Sequence, residues 1–300
     1  MRIAITLLIV LILQSCNASS VKVQDAKLGQ PSDMGSMLSA LEKPGVIVFE
    51  KHLAANWQVP LSGLVNLKHP KAIEVGLRDQ DEAIKIFVYT LQHPVFGTFL
   101  VDSGISERFI DAENNSDVSY IMKSAMNTSA LDVVLSTKQL SKKIDNLTGV
   151  FLTHIHFDHI MGLSDLSSDI PVYIGRGDAS SSAVTHIATQ GTTNRLLKNV
   201  EYLQEWQFTE QGIIDVFGDG SLWAIHSPGH TPGTTAYLAI TTDGPQLLVG
   251  DVTHTRWGWD NGVEPGSYSK DTKLNARSLK KLKNLVENHP TITAHPGHQN

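Results

Sequence analysis

The sequence contains a single cysteine among its 300 residues, so no internal disulfide can form. It also lacks a basic excess. Lys and Arg number 24 against 30 Asp and Glu, and the net charge of −6 argues against a nucleic-acid partner. No G-x-S-x-G motif is present and the one cysteine lies at position 16, so neither a serine nor a cysteine nucleophile is indicated. The chain has 13 histidines instead, and any metal site must be built from imidazole and carboxylate groups.

The first sixteen residues predict an export signal rather than a membrane-spanning helix. The apolar run from Ile3 to Leu13 is interrupted only by Thr6, and it is shorter than the about 20 apolar residues that a spanning helix needs. Residues 13–16, Leu-Gln-Ser-Cys, resemble the bacterial lipobox. This resemblance implies a lipoprotein signal peptide over residues 1–16, with a lipid anchor on Cys16, and a location in the bacterial cell envelope, on its periplasmic side or at the cell surface. The alternative is a soluble periplasmic or secreted protein in which Cys16 is incidental.

The rest of the chain divides into a short tether and one domain. Residues 17–44 are rich in Ser, Gln and Gly and predict a tether with at most one short helix. From residue 45 to residue 300, β-rich apolar runs alternate with amphipathic stretches, which predicts sheets covered by helices in one α/β domain. The residues from His93 to Gly97 predict a hairpin turn between two of these runs. The predicted strands are Ile84–Leu91, Thr98–Val101, Thr148–Thr153, Pro171–Ile174, Leu222–His226, Thr235–Ile240 and Gln246–Val249. The predicted helices are Ser136–Asn146 and Leu274–Asn288.

A cluster of metal-ligand residues follows one predicted strand. Residues 154–159 are His-Ile-His-Phe-Asp-His, which places His154, His156, Asp158 and His159 within six positions. His154 and His156 alternate, so on an extended segment both side chains point the same way. Asp158 and His159 lie on the turn into the next element and can face a second ion. Imidazole with carboxylate suits zinc, and also iron or manganese.

Further candidates lie in three loops downstream, each after a predicted strand. His230 lies in Ser-Pro-Gly-His-Thr-Pro-Gly, Asp251 follows a strand directly, and a histidine at 295 or 298 follows the last predicted strand. Loops at strand ends are held by the sheet, and such positions preorganise binding sites. The sequence therefore predicts that these side chains join the first cluster.

Taken together, these motifs resemble the metallo-β-lactamase-fold hydrolases over about residues 45–300, with metal ligands like those of the N-acyl homoserine lactonase branch. The resemblance implies an αββα sandwich with two divalent metal ions at one edge, Zn²⁺ as the first choice and Fe or Mn as alternatives. It implies that one ion is bound by His154, His156 and His230, that the second is bound by Asp158, His159 and the late histidine, and that Asp251 bridges both.

The late histidine remains open between two positions. His298 lies in Pro-Gly-His, which resembles a frequent ending of the family, but only two residues follow it. His295 directly follows the predicted strand, and its interval from Asp251 resembles that of the lactonases. We expect His295 to be the ligand and keep His298 as the alternative.

The resemblance implies hydrolysis of a small-molecule lactone or ester by a hydroxide shared between two metal ions, with Asp158 as both ligand and orienter of the water. His254 stands where the lactonases carry a substrate-contacting tyrosine, and we expect it to donate a hydrogen bond to the substrate carbonyl. Phe157, Trp257 and Trp259 could form an apolar wall, and Asp102 either caps a turn or supports the metal ligands. The alternatives are an exported β-lactamase, a phosphodiester or thioester hydrolase, and a non-catalytic metal-binding lipoprotein.

Overall fold

The computed structural model describes residues 16–183 and 186–300. The signal peptide predicted for the leader lies, up to residue 15, outside the described residues. Within the described part of the chain, no helix combines the length and the hydrophobicity needed to cross a bilayer. The strands are β1 Cys16–Asn17, β2 Lys22–Asp25, β3 Gln30–Ser32, β4 Val48–Pro60, β5 Asp81–His93, β6 Gly97–Val101, β7 Asp132–Val133, β8 Leu147–Phe151, β9 Val172–Ile174, β10 Ser182–Ala183, β11 Tyr202–Glu205, β12 Ile213–Asp215, β13 Leu222–His226, β14 Thr235–Thr241, β15 Gly244–Gly250 and β16 Thr293–Pro296.

The helices are short except for two of them. They are α1 Met34–Ala40, α2 Leu61–Leu64, α3 Pro70–Glu74, α4 Tyr120–Ala125, α5 Thr137–Ser141, α6 Phe157–Ile160, α7 His186–Leu196, α8 Arg256–Asn261 and α9 Thr272–Asn288. The predicted C-terminal helix is confirmed as α9, which begins two residues earlier than expected. The helix predicted over Ser136–Asn146 is real but shorter, because α5 ends at Ser141 and Asn146 adopts a left-handed backbone conformation.

Two sheets form the body of the protein. The larger has eight strands in the order β2-β11-β9-β8-β6-β5-β4-β7, and the smaller has six in the order β16-β15-β14-β13-β12-β3. The predicted hairpin is confirmed, since β5 and β6 pair in antiparallel fashion with His93 opposite Gly97. The strand β1 pairs with β10 in a separate two-stranded ribbon.

Alternation along the strands shows how the layers pack. In β13, Leu222 and Ala224 belong to a buried cluster that joins the two sheets, whereas Trp223 and Ile225 pack with residues of α1 and α9 on the other side. Successive side chains of a strand point to opposite faces of the sheet, so one strand supplies both layers. A third cluster covers the outer face of the larger sheet. The predicted αββα sandwich is therefore confirmed.

The segment predicted to be a tether is folded. The strand β2 extends the larger sheet parallel to β11, and β3 pairs with β12 at the edge of the smaller sheet. Edge strands are held by backbone hydrogen bonds on one side only, so polar sequences such as Lys22–Asp25 can form them without an apolar pattern. Hydropathy alone did not reveal these strands. The following helix α1 is anchored by the buried Met37 and Ala40.

The strand ends converge on one edge of the sandwich. β6 and β8 are parallel neighbours, and so are β15 and β16. The carboxyl ends of parallel strands meet at the same edge of a sheet. Asp102 follows β6, His154 follows β8, Asp251 follows β15 and His298 follows β16, which brings polar side chains from both sheets together.

Candidate metal centre

The first group of candidate ligands is formed by His154, His156 and His230. The loop after β8 carries His154 and His156, and the loop between β13 and β14 carries His230. The Nε2 atom of His230 lies 3.1 Å from Nε2 of His154 and 2.8 Å from Nδ1 of His156. Burial lowers the pKa of His154 and His230 well below the usual value and that of His156 to about 4. Neutral imidazole nitrogens that converge in this way suit a bound cation.

The second group contains the carboxylates of Asp158 and Asp251 and the imidazoles of His159 and His298. The Nε2 atom of His298 lies 3.2 Å from an oxygen of each carboxylate, and Nε2 of His159 lies 3.3 Å from Oδ2 of Asp251. Burial opposes the charge on these groups but is outweighed. Asp251 and Asp158 raise the pKa of His298 to about 10, and the histidines hold the pKa of both carboxyl groups below the usual range.

Asp251, a member of the second group, also contacts the first group. Its Oδ2 is within 3.6 Å of His154 Nε2 and 3.4 Å of His230 Nε2, in addition to its contacts with His159 and His298. Its buried Oδ1 has no hydrogen-bond partner of acceptable geometry, although His298 Nε2 lies 3.2 Å away. An orphaned buried carboxylate oxygen costs free energy, and a shared cation would satisfy it. The donor set therefore fits two divalent ions, and it contains nitrogen and oxygen ligands of the kind that zinc takes.

Asp102 fixes the orientation of His159. Its Oδ2 accepts a hydrogen bond from His159 Nδ1 at 2.8 Å, and its Oδ1 accepts one from the backbone N–H of Thr153 at 2.8 Å. Burial would lower the pKa of His159, but Asp102 and Asp251 raise it well above the usual value. With Nδ1 bonded to a carboxylate, Nε2 is left to face Asp251. A carboxylate behind a ligand histidine orients the ring in many metal sites, so of the two sequence interpretations of Asp102 the supporting one fits the structure.

The preference for His295 over His298 is corrected by the structure. His295 lies within β16 rather than after it, and its Nε2 contacts Oε1 of Gln246 at 2.8 Å on the face where Phe49 and Tyr89 pack. His298 donates from Nδ1 to the carbonyl of Lys85 at 2.9 Å, which turns Nε2 toward the carboxylates. The remaining expected ligands, His154, His156, Asp158, His159, His230 and Asp251, all lie in the cluster.

A cavity of about 400 Å³ opens above the cluster. Its floor includes Asp158, Asp251 and His298, and its walls include Trp57, Leu64, Ile84, Met122, Met126 and Phe157. Of the expected apolar wall, only Phe157 lines the cavity. Trp259 packs against the smaller sheet and α9, and Trp257 packs beside the core of the larger sheet. The sequence pattern predicts no helix at these tryptophans. Both lie on α8, which directs their side chains away from the cavity.

His254 also lines the cavity, as expected for a substrate-contacting residue. Its Nδ1 lies 3.2 Å from the carbonyl oxygen of Leu64, and its Nε2 lies 3.1 Å from Oδ2 of Asp251. The carbonyl can only accept a hydrogen bond, so it fixes Nδ1 as a donor and turns Nε2 toward the cluster. The ring is therefore held against both the floor of the cavity and the carboxylate of Asp251.

Sequence reasoning missed Asp178, which lies in Arg176-Gly177-Asp178. This buried side chain accepts a hydrogen bond from the backbone N–H of Ile155 at 2.8 Å, and Thr231 and Gly233 also donate to it. It thus connects the loop of His154 and His156 to the loop of His230. Burial raises the pKa of Asp178 to about 6. Its position shortly after β9, at the edge where the other polar residues collect, was the available signal.

Comparisons with known proteins agree with this geometry. A family model for the metallo-beta-lactamase superfamily matches residues 88–296. The chain is 26% identical over 197 residues to an N-acyl homoserine lactonase of Bacillus sp, covering 63% of this chain and 72% of that protein. It is 36% identical over 86 residues to N-acyl homoserine lactonase AttM of Azorhizobium caulinodans, covering 27% of this chain and 32% of that protein, so this match spans about a third of the relative.

Solved structures show the same fold. A quorum-quenching N-acyl homoserine lactone lactonase superposes with a TM-score of 0.62 at 20% identity, covering 85% of this chain and 93% of that one. An N-acyl homoserine lactone hydrolase with its product N-hexanoyl-L-homoserine at the catalytic metal centre gives a TM-score of 0.62 at 18% identity, covering 86% and 94%. The relatives match the lactonase-like branch that the ligand pattern indicated. By its sequence match, its two-sheet sandwich and its cluster of His and Asp ligands, the chain belongs to the metallo-beta-lactamase superfamily.

Proposed function

We propose that this protein is a hydrolase with two divalent metal ions, Zn²⁺ as the first choice, that opens lactones or simple esters with an apolar acyl group. The observation that carries the proposal is the position of the ligand cluster at the floor of a largely apolar cavity. N-acyl homoserine lactonases among the relatives act on substrates of this kind. The carbonyl group of a lactone is neutral, so it can be held above the cluster without a charged side chain as partner.

The lining of the cavity disfavours anionic substrates. Among the described residues, neither lysine nor arginine lines it. Arg256, the basic residue nearest in sequence to Asp251, donates to the carbonyl of Ala294 at 3.1 Å and does not reach the cavity. Apart from the metal ions themselves, a β-lactam carboxylate or a phosphodiester would find no cationic side chain among the lining residues, whereas Trp57, Met122 and Phe157 suit an acyl chain.

The chain's own residues then have distinct tasks. Bound metal ions would supply an activated water and polarise the scissile carbonyl. Asp158 lines the cavity and can accept a hydrogen bond from the attacking water. His254 lines the cavity with its Nε2 beside Asp251 and can hydrogen-bond to the substrate oxygen. The apolar walls hold the acyl group and exclude bulk water.

The central experiment combines metal analysis with a substrate panel. The purified, metal-replete protein should hold about two ions per chain, as a two-metal scheme requires, and Asp251→Ala should lose both. It should hydrolyse lactones and simple esters far faster than a phosphodiester, a thioester or a cephalosporin. Efficient cephalosporin turnover with inert lactones would establish the β-lactamase alternative. Full metal content without any turnover would favour a non-catalytic metal-binding protein.

A single variant tests the task of His254. His254→Phe should lower kcat on the preferred lactone by about a hundredfold, as loss of an oxyanion donor does. Its metal content should match that of the parent, because the six cluster ligands and His298 remain. A loss of metal with the loss of kcat would instead make His254 a ligand.

We also propose that the protein is an envelope lipoprotein anchored through Cys16, on the strength of the lipobox pattern. Cys16→Ser should release the protein from the membrane fraction or block its processing. Unchanged fractionation together with normal cleavage would remove Cys16 as the lipid site, and a soluble exported protein would then be the better description. Several acyl chains are needed for stable attachment, and a bacterial lipoprotein supplies them.

A further inference from the structure

The helix α4 has two apolar faces with different surroundings. Met122 is buried and lines the cavity. Its neighbours Tyr120 and Ile121 are 85% and 67% exposed. We call these two residues the α4 patch. Two large apolar side chains this exposed, on a helix that lines the cavity through Met122, are typical of a surface that meets an apolar partner.

The start of the described chain lies at the same rim. Ala18 lines the cavity together with Met122. The preceding strand β1 pairs with β10, and Gln190 of α7 donates to the backbone carbonyl of Asn17 at 2.9 Å. Residue 16 therefore lies beside α7, close to the cavity mouth.

The helix α7 connects this end of the chain to the α4 patch. Thr192 of α7 accepts a hydrogen bond from the backbone N–H of Ser119, the residue that caps α4, at 3.3 Å. Thr192 also lines the cavity. Residue 16 and α4 therefore both lie next to α7, which itself lines the cavity through Thr192.

We propose that this rim rests on a lipid bilayer, with the α4 patch inserted into its interface and the cavity mouth facing the membrane. The proposal rests on the proposed hydrolase function and on the lipid anchor. Two observations select a membrane over another occupant. Ala18, only two residues after the proposed lipid-anchor site Cys16, lines the cavity, and the patch consists of one aromatic and one aliphatic side chain, which favour the interface between headgroups and acyl chains.

The geometry has a consequence for substrate access. An amphiphilic lactone or ester partitions into the bilayer through its acyl chain and concentrates near the headgroups. A mouth turned toward the membrane receives such a substrate directly, so the preferred class is lactones with long acyl chains presented in a lipid phase.

Fluorescence quenching tests the placement without reference to activity. The full chain is reconstituted in vesicles of phosphatidylethanolamine and phosphatidylglycerol that carry brominated acyl chains. Tyr120→Trp should add fluorescence that the brominated lipids quench. Val95→Trp is the matched control, because Val95 is 79% exposed in the β5–β6 turn, at the end of β6 opposite Asp102. No quenching beyond that of the control variant would overturn the proposal.

A paired activity measurement separates this inference from the proposed function. In the double variant Tyr120→Ser with Ile121→Ser, hydrolysis of a long-chain lactone supplied in vesicles should fall to the rate measured without vesicles. Hydrolysis of a short, water-soluble lactone should equal that of the parent. If the parent itself hydrolysed neither lactone, the proposed hydrolase function would be refuted instead. A homodimer that the double variant dissociates, with no lipid quenching, would show that a second copy covers the patch and would overturn the membrane proposal.

Discussion

Two histidines three residues apart have opposite environments near the C-terminus. Burial, with Lys51 and Arg256 nearby, lowers the pKa of His295 to about 4, whereas the carboxylates of Asp251 and Asp158 raise that of His298 to about 10. The first ring is half of a polar pair with Gln246, and the second faces the candidate metal centre. Their roles should therefore separate cleanly on mutation.

We expect His298→Ala to reduce bound metal from about two ions to about one per chain, because the second group loses a nitrogen ligand. His295→Ala should keep both ions, since it removes only the contact with Gln246 and aromatic packing. Metal analysis after dialysis against metal-free buffer measures both. The reverse pattern would return the ligand role to His295.

Lys51 is a half-buried cation that has favourable contacts but also two cations as neighbours. Its Nζ lies 3.8 Å from the centre of the Phe87 ring and 2.7 Å from Oδ1 of Asn300. Burial, together with Arg256 and Lys85, lowers its pKa to about 8. The folded protein thus binds this proton less tightly than the unfolded chain does, so stability rises with pH between about 8 and the usual lysine pKa of 10.5.

The variant Lys51→Gln removes this dependence. The free energy of unfolding of the parent relative to the variant should increase by about 1 kcal/mol from pH 8 to pH 10, a value reduced by solvent screening of the half-buried group. Urea titrations at a series of pH values measure the difference. A difference that stays constant across this range would contradict the assignment.

At the scale of elements, the last residues of the chain are held by a dense set of bonds. The backbone N–H of Lys85 donates to the carbonyl of His298 at 3.0 Å, and that of His298 donates to the carbonyl of His254 at 2.9 Å. The side chain of Gln299 accepts from the N–H of Arg256 at 3.1 Å and donates to Glu82 at 3.0 Å. Because only two residues follow His298, this segment was expected to hold a metal ligand weakly. The hydrogen bonds on both of its sides fix it in place.

Gln299→Ala should weaken binding of the second metal ion, by about tenfold in Kd, as the loss of a supporting contact around a ligand does. Binding of the first ion should not change, because the loops of His154 and His230 are untouched. Asn300→Ala is the control, since it removes only the contact with Lys51. Calorimetric metal titration distinguishes the two sites, and equal affinities in all three proteins would exclude this role for Gln299.

The sequence predicted elements well where packing sets the pattern. The apolar strands from Thr148 and Leu222 onward, and the helix near the C-terminus, were identified because their apolar side chains repeat with a regular period. Strands β2 and β3 were missed because backbone pairing at a sheet edge needs no such period. The order of His295 and His298 was misjudged because one residue of uncertainty in a strand end reverses the direction of a side chain.

At the scale of the whole molecule, the candidate ligands come from both sheets. His154, Asp158 and His159 follow β8 of the larger sheet, while His230, Asp251 and His298 follow strands of the smaller one. Ions shared between these groups would connect the two sheets at one edge. Folding and metal binding should therefore be coupled.

Removal of metal should lower thermal stability. A metal ion present at a hundred times its Kd stabilises the folded state by about 2.7 kcal/mol per site. Treatment with a chelator should thus decrease the Tm by about 5–10 °C in a protein of this size, and added Zn²⁺ should restore it. Scanning calorimetry measures this change. The variant Asp251→Ala is the control, and its Tm should not respond to the chelator.

Three described residues other than glycine have a left-handed backbone, and they differ in what an engineer can change. Asn127 and Asn146 are exposed, so replacement by glycine would relieve their backbone at little cost. Asp102, with φ of 57°, is buried, and glycine there would leave the N–H of Thr153 and the ring of His159 without their acceptor. Thermostabilising substitutions can therefore be made at the first two positions. At Asp102, a glycine that relieves the backbone would also remove the carboxylate that orients His159.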